Sequence, residues 1–266
     1  KGSIDIPDEA TGIALYVQTS YTSNPKEQDL MDFYIDDIVC SNSEIFVDTS
    51  VPALKDLFRD YFKIGTAASE ISSKPIQKLA LHHFNSVTPG NELKPDALLN
   101  QELSKSQGNN VNPQVTLPYE TKVVLKWCND HNIPIRGHVC VWHSQTPDWF
   151  FNENFESYGN VVSEEIMNQR MENYIKNVME LVTTTYPDLK IYAWDIVNEA
   201  FVDNGSLRNP GSNYSQPESS MWMKVYGSNR FIYNAFTYAR KYAPEGCKLY
   251  YNDYNMHEPG KRATVV

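Results

Sequence analysis

The sequence predicts an α/β fold: a (β/α)8 barrel of which the chain carries about five βα units, preceded by a β-rich segment of a different kind. Three observations predict it. From about Val51 onward, short apolar runs rich in β-formers alternate with longer stretches of helical periodicity. Those runs are apolar throughout rather than at every second position, as strands covered on both faces require. Four of the five runs also end in a dense group of amides, carboxylates, imidazoles and aromatics, and a barrel gathers its chemistry at the C-terminal ends of its strands.

Residues 12–20 (GIALYVQTS) and 31–39 (MDFYIDDIV) are rich in β-formers and are joined by a polar loop containing Pro25. They read as an antiparallel strand pair. Two strands alone are marginal in water, so residues 1–41 are assigned to the last strands of a β-sandwich, with a linker over 42–52. A local hairpin packed on the main domain stays open as the alternative. The barrel portion covers 53–266, with strands predicted at 62–67, 84–88, 133–141, 190–197 and 248–252. Between them, Ser73-Lys74-Pro75 places Pro just inside a helix start. Ser163 followed by Glu164 and Glu165 supplies an N-cap and negative charge at the positive end of the helix dipole. Met167, Met171, Tyr174, Ile175, Val178 and Val182 recur at helical spacing after it, and Ile232, Ala235, Phe236 and Ala239 recur after Ser228. Such stripes are core-facing. Strand–helix repeats with right-handed crossovers make a barrel or a doubly wound sheet. The chain has no GxGxxG and no GxxxxGK[ST], so the nucleotide-binding doubly wound folds lose their main support.

Composition narrows the function. In 266 residues, 23 Lys and Arg stand against 33 Asp and Glu, a net charge of −10, with no basic cluster. That argues against a nucleic-acid partner, and no apolar run approaches a membrane span. Cys40, Cys128, Cys140 and Cys247 lack zinc or redox spacing. Cys128 and Cys140 read as buried thiols, and one disulfide is left unassigned. The 17 Tyr and 5 Trp suit either a large core or flat faces for sugar rings.

The strand ends are more specific. After the first run come only Gly65, Thr66 and Ser69. The second ends in Thr88-Pro89-Gly90-Asn91-Glu92-Leu93-Lys94 and the third in a run from Arg136 to Pro147 holding His138, Trp142, His143 and Gln145. The fourth delivers Asp195, Asn198 and Glu199, and the fifth Asn252, Asp253, Tyr254 and Asn255. Amides, Lys and His match sugar hydroxyls, and aromatic faces match sugar rings. Cleaving a glycoside needs one carboxylic acid to protonate the leaving oxygen and a second carboxylate. Glu199, directly after a buried strand, is rigidly placed for the first role. Singly these residues have bland explanations: His138 and Trp142 suit a core, and Asn-Glu is a common dipeptide. Asp195, within an apolar run, must be paired if buried and reads as an anchor for a histidine or an amide. The joint pattern carries the argument.

The segments FNSVTPGNELKPD, GHVCVWHSQTPDWF, WDIVNEAF and LYYNDYN, in that order, resemble glycoside hydrolase family 10, the xylanases. The likeness spans roughly residues 51–257. It implies a (β/α)8 TIM barrel without cofactor or metal, acting on xylan or xylo-oligosaccharides, in a secreted or cell-surface protein. By resemblance, Glu199 is the general acid/base and Asn198 its partner at the 2-hydroxyl. Asn91, Lys94, His138 and Trp142 bind sugars on the non-reducing side. Tyr254 and Asn255 face the leaving group, and His143 and Gln145 lie within the motif. The run DFYIDDI resembles the final strand of carbohydrate-binding modules that precede such barrels. Gly90 departs from the pattern, since many relatives have Glu there. So does the lack of any run like ITELD, which carries the nucleophile on strand seven of the family. The nucleophile is therefore expected outside these 266 residues, the chain is expected to be inactive alone, and the remainder of the barrel is a candidate partner. Two rivals stay open: a non-catalytic xylan-binding piece, and a barrel glycosidase for another β-1,4-glycan. A metal hydrolase built on His138, His143 and Asp195 lacks a familiar ligand spacing.

Overall fold

The computed structural model describes residues 47–68, 71 and 73–266. The strand pair expected within residues 1–41, and most of the linker, lie outside the described residues, as does Ser69. Five strands, β1 (Gly65–Ala68), β2 (Ser86–Pro89), β3 (Ile135–Trp142), β4 (Ile191–Asn198) and β5 (Lys248–Asn252), form one sheet. All neighbours are parallel and the order is β1-β2-β3-β4-β5. A doubly wound sheet reverses its strand order at a switch point. Here every strand lies beside its predecessor, so the sheet is singly wound, as the wall of a (β/α)8 barrel is. Parallel pairing also puts all five C-terminal ends on one rim.

The predicted runs fall on these strands. The first begins later than its apolar residues imply, because Phe62 is exposed, in the turn that follows the short helix Leu54–Leu57. In β4, Ala193 and Asp195 alternate with Trp194 and Ile196, and all four are buried. Both faces are therefore covered, which is why the run lacks polar alternation. The Trp194 ring of β4 lies against the Gly137 backbone of β3 so closely that a Cβ on Gly137 would sit 2.3 Å from it. Only glycine fits there.

Helices α1 (Lys74–His83), α2 (Tyr119–Asp130), α3 (Glu164–Thr185), α4 (Met221–Tyr226), α5 (Arg230–Tyr242) and α6 (Pro259–Val265) complete the frame. Ser163 caps α3 by accepting from the Ile166 N–H at 3.4 Å, with Glu164 and Glu165 in the first turn. The predicted stripe, Met167 to Val182, is buried. Each such side chain contributes roughly 1.5–3 kcal/mol by leaving water. Ser73 makes no side-chain cap, and α1 starts on Pro75 geometry instead. Helix α5 begins after Asn229, with Ser228 Oγ accepting from the Arg230 N–H at 3.4 Å; it buries Phe231, Ala235 and Ala239. Cys128, Cys140 and Cys247 are free buried thiols, and burial pushes Cys128 up to about 12.

Among the buried charges without a signal in the sequence is Arg170. Arg170 on α3 is wholly buried, donating from Nε to the Asn110 carbonyl (2.6 Å) and from Nη1 to the Phe150 carbonyl (2.5 Å). Its guanidinium lies 4.0 Å from the Phe155 ring centroid. Burial lowers its pKa to about 10, so it still carries its charge at neutral pH and holds two loops to the helix.

Candidate active site

The site is assembled on the shared rim. Glu199 follows the last residue of β4 and sits at φ +51°, the left-handed region that a β-carbon disfavours. Both of its backbone polar groups are engaged. Its N–H donates to the Asn252 carbonyl at 2.9 Å, continuing the β4–β5 ladder, and its carbonyl accepts from Arg208 Nε at 2.6 Å. The carboxylate accepts from Trp142 Nε1 at 3.0 Å, and Arg208 Nη2 lies 4.0 Å from the same oxygen. Arg208 is only 3 % exposed. The carboxylate is thus held by one indole and one buried cation, with 20 % of the side chain open to solvent.

Trp142 is fixed in turn. Its carbonyl accepts from Thr146 Oγ1 (2.7 Å) and from Trp222 Nε1 (3.1 Å), while Lys94 Nζ lies 4.9 Å from its ring centroid. Lys94 donates to Asn91 Oδ1 at 2.8 Å and to Gln145 Oε1 at 2.7 Å. Burial lowers the Lys94 pKa against the opposing pull of Asp96, Glu199 and Glu92. Gln145, itself at φ +47°, reaches Asp96 at 3.3 Å. Asn91, Lys94, Gln145, Trp142 and Glu199 therefore form one continuous polar and aromatic wall.

His138 stands 6.3 Å from Trp142, ring to ring. Its Nδ1 pairs with Asp195 Oδ2 at 2.9 Å, and Asp195 Oδ1 accepts from Arg136 Nε at 2.9 Å. Asp195 is 2 % exposed, so it is the histidine anchor expected of a buried aspartate. Asn198, also buried, is bonded to Asn252 (2.9 Å). With its amide turned the other way, its oxygen lies 3.2 Å from Trp142 Nε1. His143 packs edge-on to Trp142 at 5.8 Å, with its Nδ1 buried and lacking a hydrogen-bond partner among the described residues. Burial, then Arg208 and Lys261, lower it to about 3, so it is neutral. Tyr254 and Asn255 lie just past β5 and neither bonds Glu199: the Tyr254 N–H donates to Asp253 at 2.9 Å and its carbonyl accepts from Lys261 at 3.1 Å, while Asn255 Nδ2 donates to Asp203 at 3.1 Å.

The other rim carboxylates are committed elsewhere. Glu92 accepts from the Asn91 N–H, Asp195 holds Arg136 and His138, and Asp253 pairs with Lys261 and accepts from Tyr251 Oη. On the wall itself, exposed Asp96 accepts from Gln145, and Glu199 is the carboxylate that directly follows a strand, beside sugar-matching donors and an aromatic face. Among the described residues no group of three His, Cys, Asp or Glu is arranged to hold a metal ion, and no helix is long and apolar enough to cross a membrane.

The profile of glycosyl hydrolase family 10 matches residues 53–266. This chain belongs to that family. Its relatives include the bifunctional endo-1,4-beta-xylanase XylA of Ruminococcus flavefaciens, 47 % identical over 80 % of this chain and 22 % of the relative. Endo-1,4-beta-xylanase Y of Acetivibrio thermocellus is 42 % identical over 98 % of this chain and 24 % of its own length. The family 10 chain thus spans about a quarter, or less, of these relatives. It also superposes, at a TM-score of 0.75 and 42 % identity, on part of a structure of an endo-1,4-beta-D-xylanase from Clostridium thermocellum that comprises CBM22-1 and GH10 modules, solved with xylohexaose. That match covers 85 % of this chain and 43 % of the other.

Arg208, Trp222, Arg136 and Lys261 support this site, and sequence reasoning missed them as site residues. Arg208 and Trp222 lie in the segment after β4, which has no strand or clear helical period at Arg208 to flag it. Asp195 was the one supporting group with a local signal, a carboxylate inside an apolar run.

Proposed function

We propose that this family 10 chain is a segment of a longer retaining endo-β-1,4-xylanase, with Glu199 as its general acid/base. The carrying observation is the fixed Glu199 carboxylate, held between the Trp142 indole and Arg208 on a wall of sugar-matching side chains. Family membership and the xylanase names of the relatives support the substrate. In the first step, Glu199 gives its proton to the glycosidic oxygen as the C1–O bond breaks and a second carboxylate bonds C1. In the second, Glu199 takes a proton from water, whose oxygen bonds C1 and expels that carboxylate. The second carboxylate is assigned to another part of the polypeptide: Glu92 is buried, Asp195 and Asp253 are ion-paired, and Asp96 is bonded to Gln145.

Asn91, Lys94, His138 and Trp142 then line the non-reducing side, with Gln145 bracing Lys94 and His143 backing Trp142. Asn198 serves the 2-hydroxyl, and Tyr254 and Asn255 the leaving-group side. We also assign residues 1–41 to the end of a carbohydrate-binding module. Alignment of the Acetivibrio thermocellus relative over 98 % of the chain supports this, as does the module preceding the barrel in the Clostridium thermocellum structure. Loss of residues 1–41 that leaves binding to insoluble xylan unchanged would refute that assignment. Because a polymeric substrate does not cross a membrane, we propose that the enzyme acts outside the cell or on its surface. Finding it in the cytoplasmic fraction overturns that placement.

The test of the acid/base is Glu199→Ala in the full-length protein. An aryl xyloside with a good leaving group still loads the enzyme, because it needs little proton assistance. The covalent intermediate then accumulates, and azide, which needs no base, restores turnover with a β-azide product. On xylan the loss is at least about 10²–10⁴-fold. Near-normal xylan hydrolysis by the Ala variant removes Glu199 from the mechanism.

A further inference from the structure

Lys261, the third residue of α6, has a fully buried side chain. Its ammonium lies 2.7 Å from Asp253 Oδ1, 3.2 Å from Asp203 Oδ1 and 3.1 Å from the Tyr254 carbonyl, and 3.8 Å from the centre of the Tyr254 ring. An ammonium taken out of water is costly unless its partners are well placed, and an apolar side chain would fill the same space without that cost. Burial opposes the charge, but the hydrogen bond and charge of Asp253, with Asp203 behind it, outweigh it and hold the Lys261 pKa above its ordinary 10.5.

The partners lead in two directions. Asp253, also fully buried, accepts from Tyr251 Oη, which in turn accepts from the Ala200 N–H at 3.0 Å, next to Glu199. Asp203, half exposed, accepts from Asn255 Nδ2 at 3.1 Å, and Asn255 sits at φ +53°. The frame holding these groups is tight: a Cβ on Gly260, beside Lys261, would come 2.9 Å from the Asn204 carbonyl oxygen. The loop after β4 and the start of α6 therefore meet backbone to backbone, with the ammonium sealed beneath. Tyr254 is 45 % exposed although the ammonium lies against its ring.

We propose that Lys261 is a positioning residue for the leaving-group side: it clamps the Tyr254 ring and carbonyl and, through Asp203, the Asn255 amide, presenting the two as a rigid pair to the departing sugar. This rests on the reading of Tyr254 and Asn255 given above. Because Asp253 also reaches the residue after Glu199, the clamp ties the leaving-group contacts to the strand that carries the acid.

The test compares two substrates of the full-length protein: xylohexaose, whose leaving group is a sugar, and a nitrophenyl xylobioside, whose leaving group is not. Lys261→Met is expected to lower kcat/KM for xylohexaose about tenfold more than for the aryl substrate, chiefly through KM, because binding contacts are lost. Asp203→Ala, at a half-exposed position, is expected to show the same bias and decides the matter if Lys261→Met does not fold. Equal losses on the two substrates, from whichever variant folds, overturn the proposal. Tyr254→Ala separates the two ideas. If it shows no bias toward xylohexaose, the leaving-group reading fails and the proposal with it. If it shows the bias and neither other variant does, the proposal alone fails.

Discussion

At Glu199 a left-handed backbone is held by two hydrogen bonds, from its N–H to Asn252 and from Arg208 to its carbonyl. A non-glycine residue at such a φ costs on the order of 1–3 kcal/mol, and such strain persists where surrounding structure over-determines it. The return is a carboxylate whose direction is set by the main chain. His143 makes the neighbouring environment testable. In the unfolded chain its imidazole titrates near 6.5, whereas burial, aided by Arg208 and Lys261, lowers it to about 3 in the fold. Between those values the unfolded chain holds a proton that the folded one does not. Stability is therefore lost as pH falls from about 6.5 toward 3, and the loss levels off below that. In H143N this contribution vanishes, so the thermal midpoint of the full-length protein should fall less steeply between pH 6.5 and 4 than in the native protein. Parallel midpoint profiles would mean that His143 protonates normally in the fold. At this scale the candidate residues were legible in the sequence because each stands at a strand end. Arg208 and Lys261 were not, because the partners that give them meaning come from distant turns of the chain.

The strands were legible for a physical reason: a strand covered on both faces must be apolar at successive positions, and β4 shows this from Ala193 to Val197, broken only by the paired Asp195. β1 begins three residues later than predicted, because Phe62 is apolar yet exposed. Two helix starts were legible as well: Ser163 caps α3, and Pro75 falls just inside α1, which begins directly after Ser73. The β3–β4 contact was not legible at all, since a glycine in a strand does not announce which ring it admits. Gly137→Ala would press a methyl to 2.3 Å from the Trp194 ring. Overpacking of this kind typically costs about 1–3 kcal/mol and sometimes more. The urea midpoint of the full-length protein should drop accordingly, with lower xylan hydrolysis because His138 is the next residue on β3. An unchanged midpoint would show that β3 and β4 have room to part.

Across the whole described unit, the sheet has two open sides. β1 pairs only with β2, and β5 only with β4. Beside β1, Leu57, Tyr61 and Phe62 are exposed, with Phe58 stacked on Phe62 at 5.3 Å between centroids. Beside β5, Phe201, Ile232, Phe236, Tyr251 and Val265 line an apolar groove. A barrel wall abolishes such edges by closing on itself, and apolar faces of this kind are covered in a stable monomer. Residues 48–266 form one compact unit by their internal contacts, and among the described residues the outer N–H and C=O groups of β1 and β5 meet no further strand. Expressed alone, residues 48–266 should self-associate in a concentration-dependent way and bind a hydrophobic dye, whereas the full-length polypeptide should do neither. Sedimentation velocity across a tenfold concentration range, with dye fluorescence alongside, checks this. A monomeric, dye-negative piece would show that the two edges protect themselves without a covering strand.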